Sequence, residues 1–336
     1  MRIGFHLTPF WSPATRSATE LIDEALRLVA AASRMGFAWV SAPHHWLGHP
    51  SFFPHPFPIL ARLAPEAGDM RLKTNVLILP LLNAVDAAEN LATLDHICHG
   101  RLDVGVGLGY RETELGAAGV TRKDRAPKLE ESLAVMTRLW SGEEVTLDGR
   151  YTTLRGARMG YRPYQTPRPF LEMAAQSVGA TQRAARLTDG VFFGPQVGWR
   201  DVESLARVFR AARAAAPGAG PGVVLASRSL IVGTSKAAAT DAARAFLEKT
   251  FNQYRAWDMQ ERAMVPLRLG FEASLDDWAV YGSPKDCVEA IQRGRAMGLD
   301  GIGFTMYSLP ADVRARVEYL QMVAEEILKP VGATPP

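Results

Sequence analysis

Short apolar runs alternate with longer amphipathic ones along nearly the whole chain, and that alternation leaves few folds open. Strand-like runs fall at residues 3–7, 39–42, 72–79, 102–107, 170–175, 191–193, 223–232 and 301–306. Between them apolar residues return at helical spacing, as Leu21, Ala25, Leu28, Val29 and Ala32 do after a capping Ser17 or Thr19. Other helical patterns cover residues 59–67, 85–98, 129–140, 179–187 and 201–215, and Ser283-Pro284 has the cap-then-proline start of another. Strands that alternate with helices belong to parallel sheets. The unbroken Val76-Leu77-Ile78-Leu79 adds a strand covered on both faces. Eight such strands predict one α/β domain over residues 1–328, an eight-stranded parallel barrel of the TIM type with insertions.

One insertion, at about 141–168, reads as a hairpin turning at Asp148-Gly149. A second, at about 255–281, has no clean period and reads as a lid. Its Trp257, Met264, Val265, Leu267, Leu269 and Phe271 would face a pocket, with Arg262, Arg268 and Glu272 toward solvent or a phosphate edge. Residues 329–336 read as a disordered tail. Two Rossmann-like halves divided at the Pro/Gly stretch 217–222 are the alternative reading.

A formal net charge of +3 is too small to point to nucleic acid. Arg122, Lys123 and Arg125, interrupted by Asp124, read as a solvated face. Two distant cysteines, Cys98 and Cys287, make neither a disulfide framework nor a zinc site, and fit a reducing cytoplasm. Residues 1–7 read as a strand rather than a signal peptide, and no apolar run is long enough for a membrane span.

All seven histidines lie in the first hundred residues. His44 and His45 follow the second strand, at the barrel face where active sites form. His44 is therefore a candidate general acid or base, against the plainer reading of a polar rim histidine. Metal ligation has no supporting His spacing. Gly105-Val106-Gly107-Leu108-Gly109-Tyr110 lacks the third glycine of a dinucleotide fingerprint, yet lets backbone approach a ligand. Small residues and a hydroxyl at 174–181 suit either a phosphate site at a helix N-terminus or an ordinary capped loop. Phe10, Trp11, Trp46, Phe52, Phe53 and Phe57 put unusual aromatic surface into two loops, which suits a pocket lining or a partner surface. Met35, Met136 and Met173 read as core.

Taken together, several motifs resemble those of the bacterial-luciferase-like flavin-dependent oxidoreductases. They are His44-His45-Trp46, the run Thr74 to Pro80, the run Gly100 to Arg111, Ala184 to Gly190, and Tyr281-Gly282-Ser283-Pro284. The resemblance implies a barrel, usually a homodimer, that binds reduced FMN or a deazaflavin. It implies a phosphate held by Ser177 and the N–H groups of Gly179 and Ala180, with Gln176 and Val178 in the same turn. The flavin ring would lie near Gly107 and Tyr110, against a cis peptide at Asn75–Val76, with His44 assisting the chemistry and Phe10, Trp11, Trp46 and Phe53 around the substrate. His44-His45-Trp46 looks more like the FMN branch than the deazaflavin branch, whose loop usually carries Asp-His. Luciferase has a glutamate where Pro43 stands, so a carboxylate supporting the histidines is expected to be missing; Leu108 and Gln176 also replace an arginine and a glutamate. The implied function is a two-component monooxygenase, with oxygen, an apolar substrate and a separate flavin reductase. A deazaflavin-dependent hydride transferase and a non-catalytic flavin binder are the alternatives.

Overall fold

The computed structural model describes residues 1–7, 10–11, 16–49, 51–216, 220–256, 270–306, 309–310 and 312–334. For residues 10, 11, 253, 254 and 256 only the backbone is described. In chain order the strands are β1 (Arg2–His6), β2 (Phe10–Trp11), β3 (Trp39–Ala42), β4 (Ser51–Phe52), β5 (Arg71–Ile78), β6 (Leu102–Gly107), β7 (Val145–Asp148), β8 (Thr153–Ala157), β9 (Phe170–Ala174), β10 (Gly190–Phe193), β11 (Val223–Val232), β12 (Ala279–Gly282) and β13 (Gly301–Thr305). Eight of them close a parallel barrel in the order β1-β3-β5-β6-β9-β10-β11-β13, with β13 pairing back onto β1. Because β10 pairs with β11 directly across the Pro/Gly stretch, Gly190 beside Val223, the chain is not divided there into two halves.

A closed barrel turns every second side chain inward, so the interior has to be filled and fitted. Trp39 fills much of it, and it fits because Gly4 on the neighbouring strand has no side chain: a Cβ there would lie 2.2 Å from the indole. Gly303 on β13 makes room for His6 in the same way, at 2.4 Å. Deeper still, Lys73 of β5 and Glu172 of β9 form an ion pair at 2.6 Å, both fully buried, with the ammonium 5.0 Å from the Trp39 ring. Burial pushes the Glu172 carboxyl above its usual range even with the lysine beside it.

The expected hairpin is present as β7 and β8, paired antiparallel. Part of the expected lid is regular structure instead. Phe271–Trp278 is a helix whose Phe271, Leu275 and Trp278 pack against Phe251, and β12 follows it and pairs in parallel with the end of β11. Its i, i+4, i+7 apolar spacing was present in the sequence but spans only two turns, too short to stand out. Residues 257–269, with Trp257, Arg262, Met264, Val265, Leu267, Arg268 and Leu269, lie outside the described residues; Glu272 pairs with Arg244.

The tail expectation is corrected as well. Val331 is buried, Arg295 donates to its carbonyl at 2.6 Å, and the Thr334 N–H donates to Met1 O at 3.1 Å. Residues 329–334 thus seal the lower end of the barrel beside β1, because the apolar Val331 and Ala333 have core to pack against. A short helix that the sequence pattern did not reveal, Glu112–Ala117, follows β6 and matters to the site below.

Breaking the buried pair should cost far more than removing it. Lys73→Met leaves an uncompensated carboxylate and should destabilise by about 3–5 kcal/mol in denaturant unfolding. Lys73→Met with Glu172→Leu should recover most of that loss; a double variant as unstable as the single one would show that packing, not charge, sets the cost.

Candidate active site

The C-terminal ends of the barrel strands surround a cavity of about 620 Å³. That volume suits a cofactor-sized organic molecule. His44, His45 and Phe53 come from the segments after β3, Asn75, Val76 and Ile78 from β5, Gly107 from β6, and Ala174 to Ser177 from the end of β9. Ser227 and Ser229 of β11 and Thr305 of β13 complete the opposite wall. The Asn75–Val76 peptide is cis, as the resemblance implies, and the β5–β6 register shifts between Thr74 and Leu77. A Cβ on Gly107 would lie 2.6 Å from Val76, so no side chain can occupy that patch of the floor.

His44 Nδ1 accepts a hydrogen bond from the Ile78 N–H at 3.0 Å. A backbone amide can only donate, so Nδ1 carries the lone pair and the ring proton sits on Nε2. That Nε2 is buried with no hydrogen-bond partner among the described residues. Burial, followed by the neighbouring His55 and His45, pulls the His44 imidazole down to about 3. His44 is therefore a neutral ring and a donor, which narrows the general acid–base role expected of it.

Its neighbour is held differently. Glu114, on the short helix after β6, accepts from His45 Nδ1 at 2.9 Å, from the Trp46 N–H at 3.0 Å and from Arg111 at 2.9 Å, all on Oε1. Arg111 also donates to the Trp46 and Leu47 carbonyls. The supporting carboxylate that Pro43 seemed to remove is thus supplied from another element.

One end of the cavity is cationic. Arg122 and Arg125 line it together with Ser177 and Ala180, and the Arg125 guanidinium is anchored on the Gly109 and Arg122 carbonyls. This corrects the solvated-face reading of Arg122 and Arg125; of that run only Lys123 is exposed. The helix that follows begins at Arg125, one turn earlier than the apolar pattern indicates, and places Arg125 at the rim, with Arg122 in the turn before it. Ser177 caps the helix Val178–Leu187 by accepting from the Ala180 N–H at 3.3 Å. The Val178 and Gly179 N–H groups, in the first turn, have no acceptor within the helix. Among the described lining residues are three arginines, the third being Arg228, and no carboxylate. The cavity therefore favours an anionic ligand.

Of the expected residues, His44, Phe53, Asn75, Val76, Gly107, Tyr110, Gln176, Ser177 and Ala180 line this one cavity. Val178 and Gly179 lie just outside it and are exposed, and Trp46 packs edge-on behind His44, ring centroids 6.0 Å apart. The backbone of Phe10 and Trp11 pairs with Phe52 and Ser51. Pattern reading missed His6, which closes β1 and lies on Ser41 and Asn75, and Arg228. Arg228 is wholly buried, donates to the Val197 carbonyl at 2.8 Å, stacks 4.1 Å from the Trp199 ring and is pulled down by burial to about 9. Its place at the C-terminal half of a strand was the available signal. Among the described residues no group of three or more His, Cys, Asp or Glu is placed to hold a metal, and no helix is long and apolar enough to cross a membrane.

Residues 1–301 match the family described as Luciferase-like monooxygenase. The chain belongs to that family. Its relatives there include an F420-dependent glucose-6-phosphate dehydrogenase of Beutenbergia cavernae, 30% identical over 91% of this chain and 92% of the relative. The oxygenase component of a flavin-dependent trigonelline monooxygenase of Acinetobacter baylyi is 24% identical over 93% and 89%. Against three mycobacterial relatives, 35% identical over 134 residues, the chain spans about half (46%) of their length. The crystal structure of monooxygenase RslO1 from Streptomyces bottropensis shares the fold of this luciferase-like chain, with TM-score 0.86 at 24% identity over 98% and 99% of the two chains.

The buried histidines give the protein an acid limb. His6, like His44, is pulled down to about 3, chiefly by burial and then by Lys73. Both are neutral in the native state and protonate near the ordinary 6.5 once unfolded, so below that pH the unfolded chain binds more protons. Stability should fall from pH 6.5 toward about 3, by up to about 1.4 kcal/mol per pH unit for each ring. His44→Asn keeps an acceptor for the Ile78 N–H and should remove one of the two contributions to that slope. An unchanged slope in unfolding titrations would show His44 to be solvated in the native protein.

Proposed function

We propose that this protein is an oxidoreductase that binds a phosphorylated flavin, and more narrowly the oxygenating component of a two-component monooxygenase using reduced FMN, oxygen and an apolar organic substrate. The observation that carries the reading is the polarity of the cavity. A capped helix N-terminus and two arginines form one end, no described carboxylate lines it, and apolar Val76, Leu108, Phe192 and Trp278 line its middle. Such a site suits a ligand with an anionic tail and a flat apolar ring. Two buried atoms at the wall, Asn75 Oδ1 and His44 Nε2, have no hydrogen-bond partner among the described residues and offer an acceptor and a donor to a polar ring edge. The residues present therefore fit a flavin.

Bound there, a reduced flavin supplies two electrons to oxygen or to a substrate carbon. The chain's own contributions are binding, orientation and exclusion of water. Arg122, Arg125 and Ser177, with the first N–H groups of the helix Val178–Leu187, hold the phosphate. Gly107 leaves room for the Val76 side chain in the floor of the cavity. His44, kept neutral, donates from Nε2 to an oxygen atom in the cavity. A separate reductase delivers the reduced flavin, and a second copy of the chain completes a homodimer.

A deazaflavin-dependent hydride transfer is the second reading, favoured by the 30% identity to an F420-dependent dehydrogenase over most of both chains. His44-His45-Trp46 favours FMN. Titration with reduced FMN and with reduced deazaflavin, with and without oxygen, separates the two: tight deazaflavin binding without FMN binding would remove the monooxygenase reading. Nothing lies within 4 Å of a Cβ placed on Gly179, so the protein tolerates Gly179→Val while the side chain occupies the phosphate approach. That variant should weaken FMN at least about tenfold (about 1.4 kcal/mol) and riboflavin hardly at all. His44→Ala should cost about 10²-fold or more in turnover with little change in flavin affinity.

A further inference from the structure

The Asn75 side chain has two unlike ends, and the structure treats them differently. Its Nδ2 lies 2.9 Å from His6 Nδ1. Its Oδ1 is buried with no hydrogen-bond partner among the described residues, and Asn75 lines the cavity. Which end belongs against His6 depends on which ring nitrogen of His6 carries the hydrogen. Burial, followed by Lys73, keeps that ring neutral, while a hydrogen bond to the Gly303 backbone supports its N–H. Nε2 is the nitrogen turned toward Gly303: a Cβ on that glycine would lie 2.4 Å from Nε2 and 3.4 Å from Nδ1. A backbone carbonyl can only accept, so the hydrogen sits on Nε2 and Nδ1 keeps its lone pair. A lone pair requires a donor. The Asn75 NH₂ group supplies it, with the Ser41 hydroxyl beside it. The opposite amide orientation would set Oδ1 against that lone pair, so the carbonyl end is left for the cavity.

We infer that His6 holds Asn75 with its carbonyl oxygen presented to the cavity, and that this oxygen selects the reduced flavin by accepting from the ring N–H that reduction creates. The selection rests on the flavin reading above. An oxidised flavin has a lone pair on the central-ring nitrogen, and reduction puts a hydrogen there. A fixed carbonyl oxygen repels the first and bonds to the second. A deazaflavin has carbon at that position and gains nothing from the same oxygen. In the empty protein an unpaired buried oxygen is a cost, and the ring N–H removes it. His44 offers the opposite polarity through Nε2–H, which suits a ring carbonyl. His6 is a positioning residue, acting on the flavin through Asn75.

Titrations with oxidised FMN and, without oxygen, with reduced FMN test the selection, read as the Kd of the oxidised form divided by that of the reduced form. Asn75→Leu should lower this ratio at least about fivefold, through weaker binding of reduced FMN. His6→Leu should lower it in the same way. His6→Asn keeps an acceptor for the Asn75 amide and should hold the ratio within about twofold of the unmodified protein. Equal weakening of both forms overturns the selection and leaves the flavin reading standing, because Asn75 then meets a ring group common to both. Binding of neither form by the unmodified protein removes the flavin reading and the selection with it. The orientation is tested without any flavin, by nitrogen-15 NMR of the histidine-labelled unmodified protein. Spectra at about pH 8.5, where ordinary imidazoles are neutral, should show His6 protonated on Nε2, with His6→Asn used for assignment. His6 found as the Nδ1–H tautomer overturns the inference, even where the variants fail to fold.

Discussion

The closure of eight parallel strands by hydrogen bonds from β13 back to β1 is the constraint on which the rest depends. Closure leaves the eight barrel strands without a free edge and forces alternate side chains into one narrow interior. The interior is then a fitting problem, solved by setting Trp39 and His6 against Gly4 and Gly303. Parallel strands also end together, so the segments after β3, β5, β6, β9 and β10 meet around one cavity although they are far apart in sequence.

Burial in that interior sets the electrostatics of the site. The Lys73–Glu172 pair holds charge deep in the barrel, where neither partner is tolerable alone. Closer to the cavity, burial keeps His6 and His44 neutral, so hydrogen-bond direction rather than charge distinguishes them. Cations are placed at the rim, where Arg125 lies on the Gly109 and Arg122 carbonyls and Arg122 on the Glu112 carboxylate and the Tyr110 carbonyl. The result is a site with neutral histidines, two arginines at its rim and a third, Arg228, on the β11 wall.

Much of the barrel was legible because each strand and helix has its own period. The eight strands were recognisable, as was the hairpin at β7 and β8. What was lost is short or stabilised from afar. The helix Glu112–Ala117 has too few residues to show a period, and the helix Phe271–Trp278 is held by packing on Phe251. The docking of residues 329–334 depends on Arg295 and Met1, neither of which is near in sequence. Arg122 and Arg125 looked solvated because charge in a run says nothing about which helix face meets the rim.

The sequence by itself determined the parallel α/β barrel, the strand ends that carry the site, and a capped turn at Ser177. Those are local properties: apolar period, capping residues and small residues at strand ends each act over a few neighbours. Tertiary structure alone decided what each histidine can do. His44 and His45 are the same residue type in consecutive positions, yet Ile78 and Glu114 reach them from β5 and from the helix beyond β6. Which ring nitrogen carries the proton is fixed by whether that distant partner is an N–H or a carboxylate, and no local pattern records it.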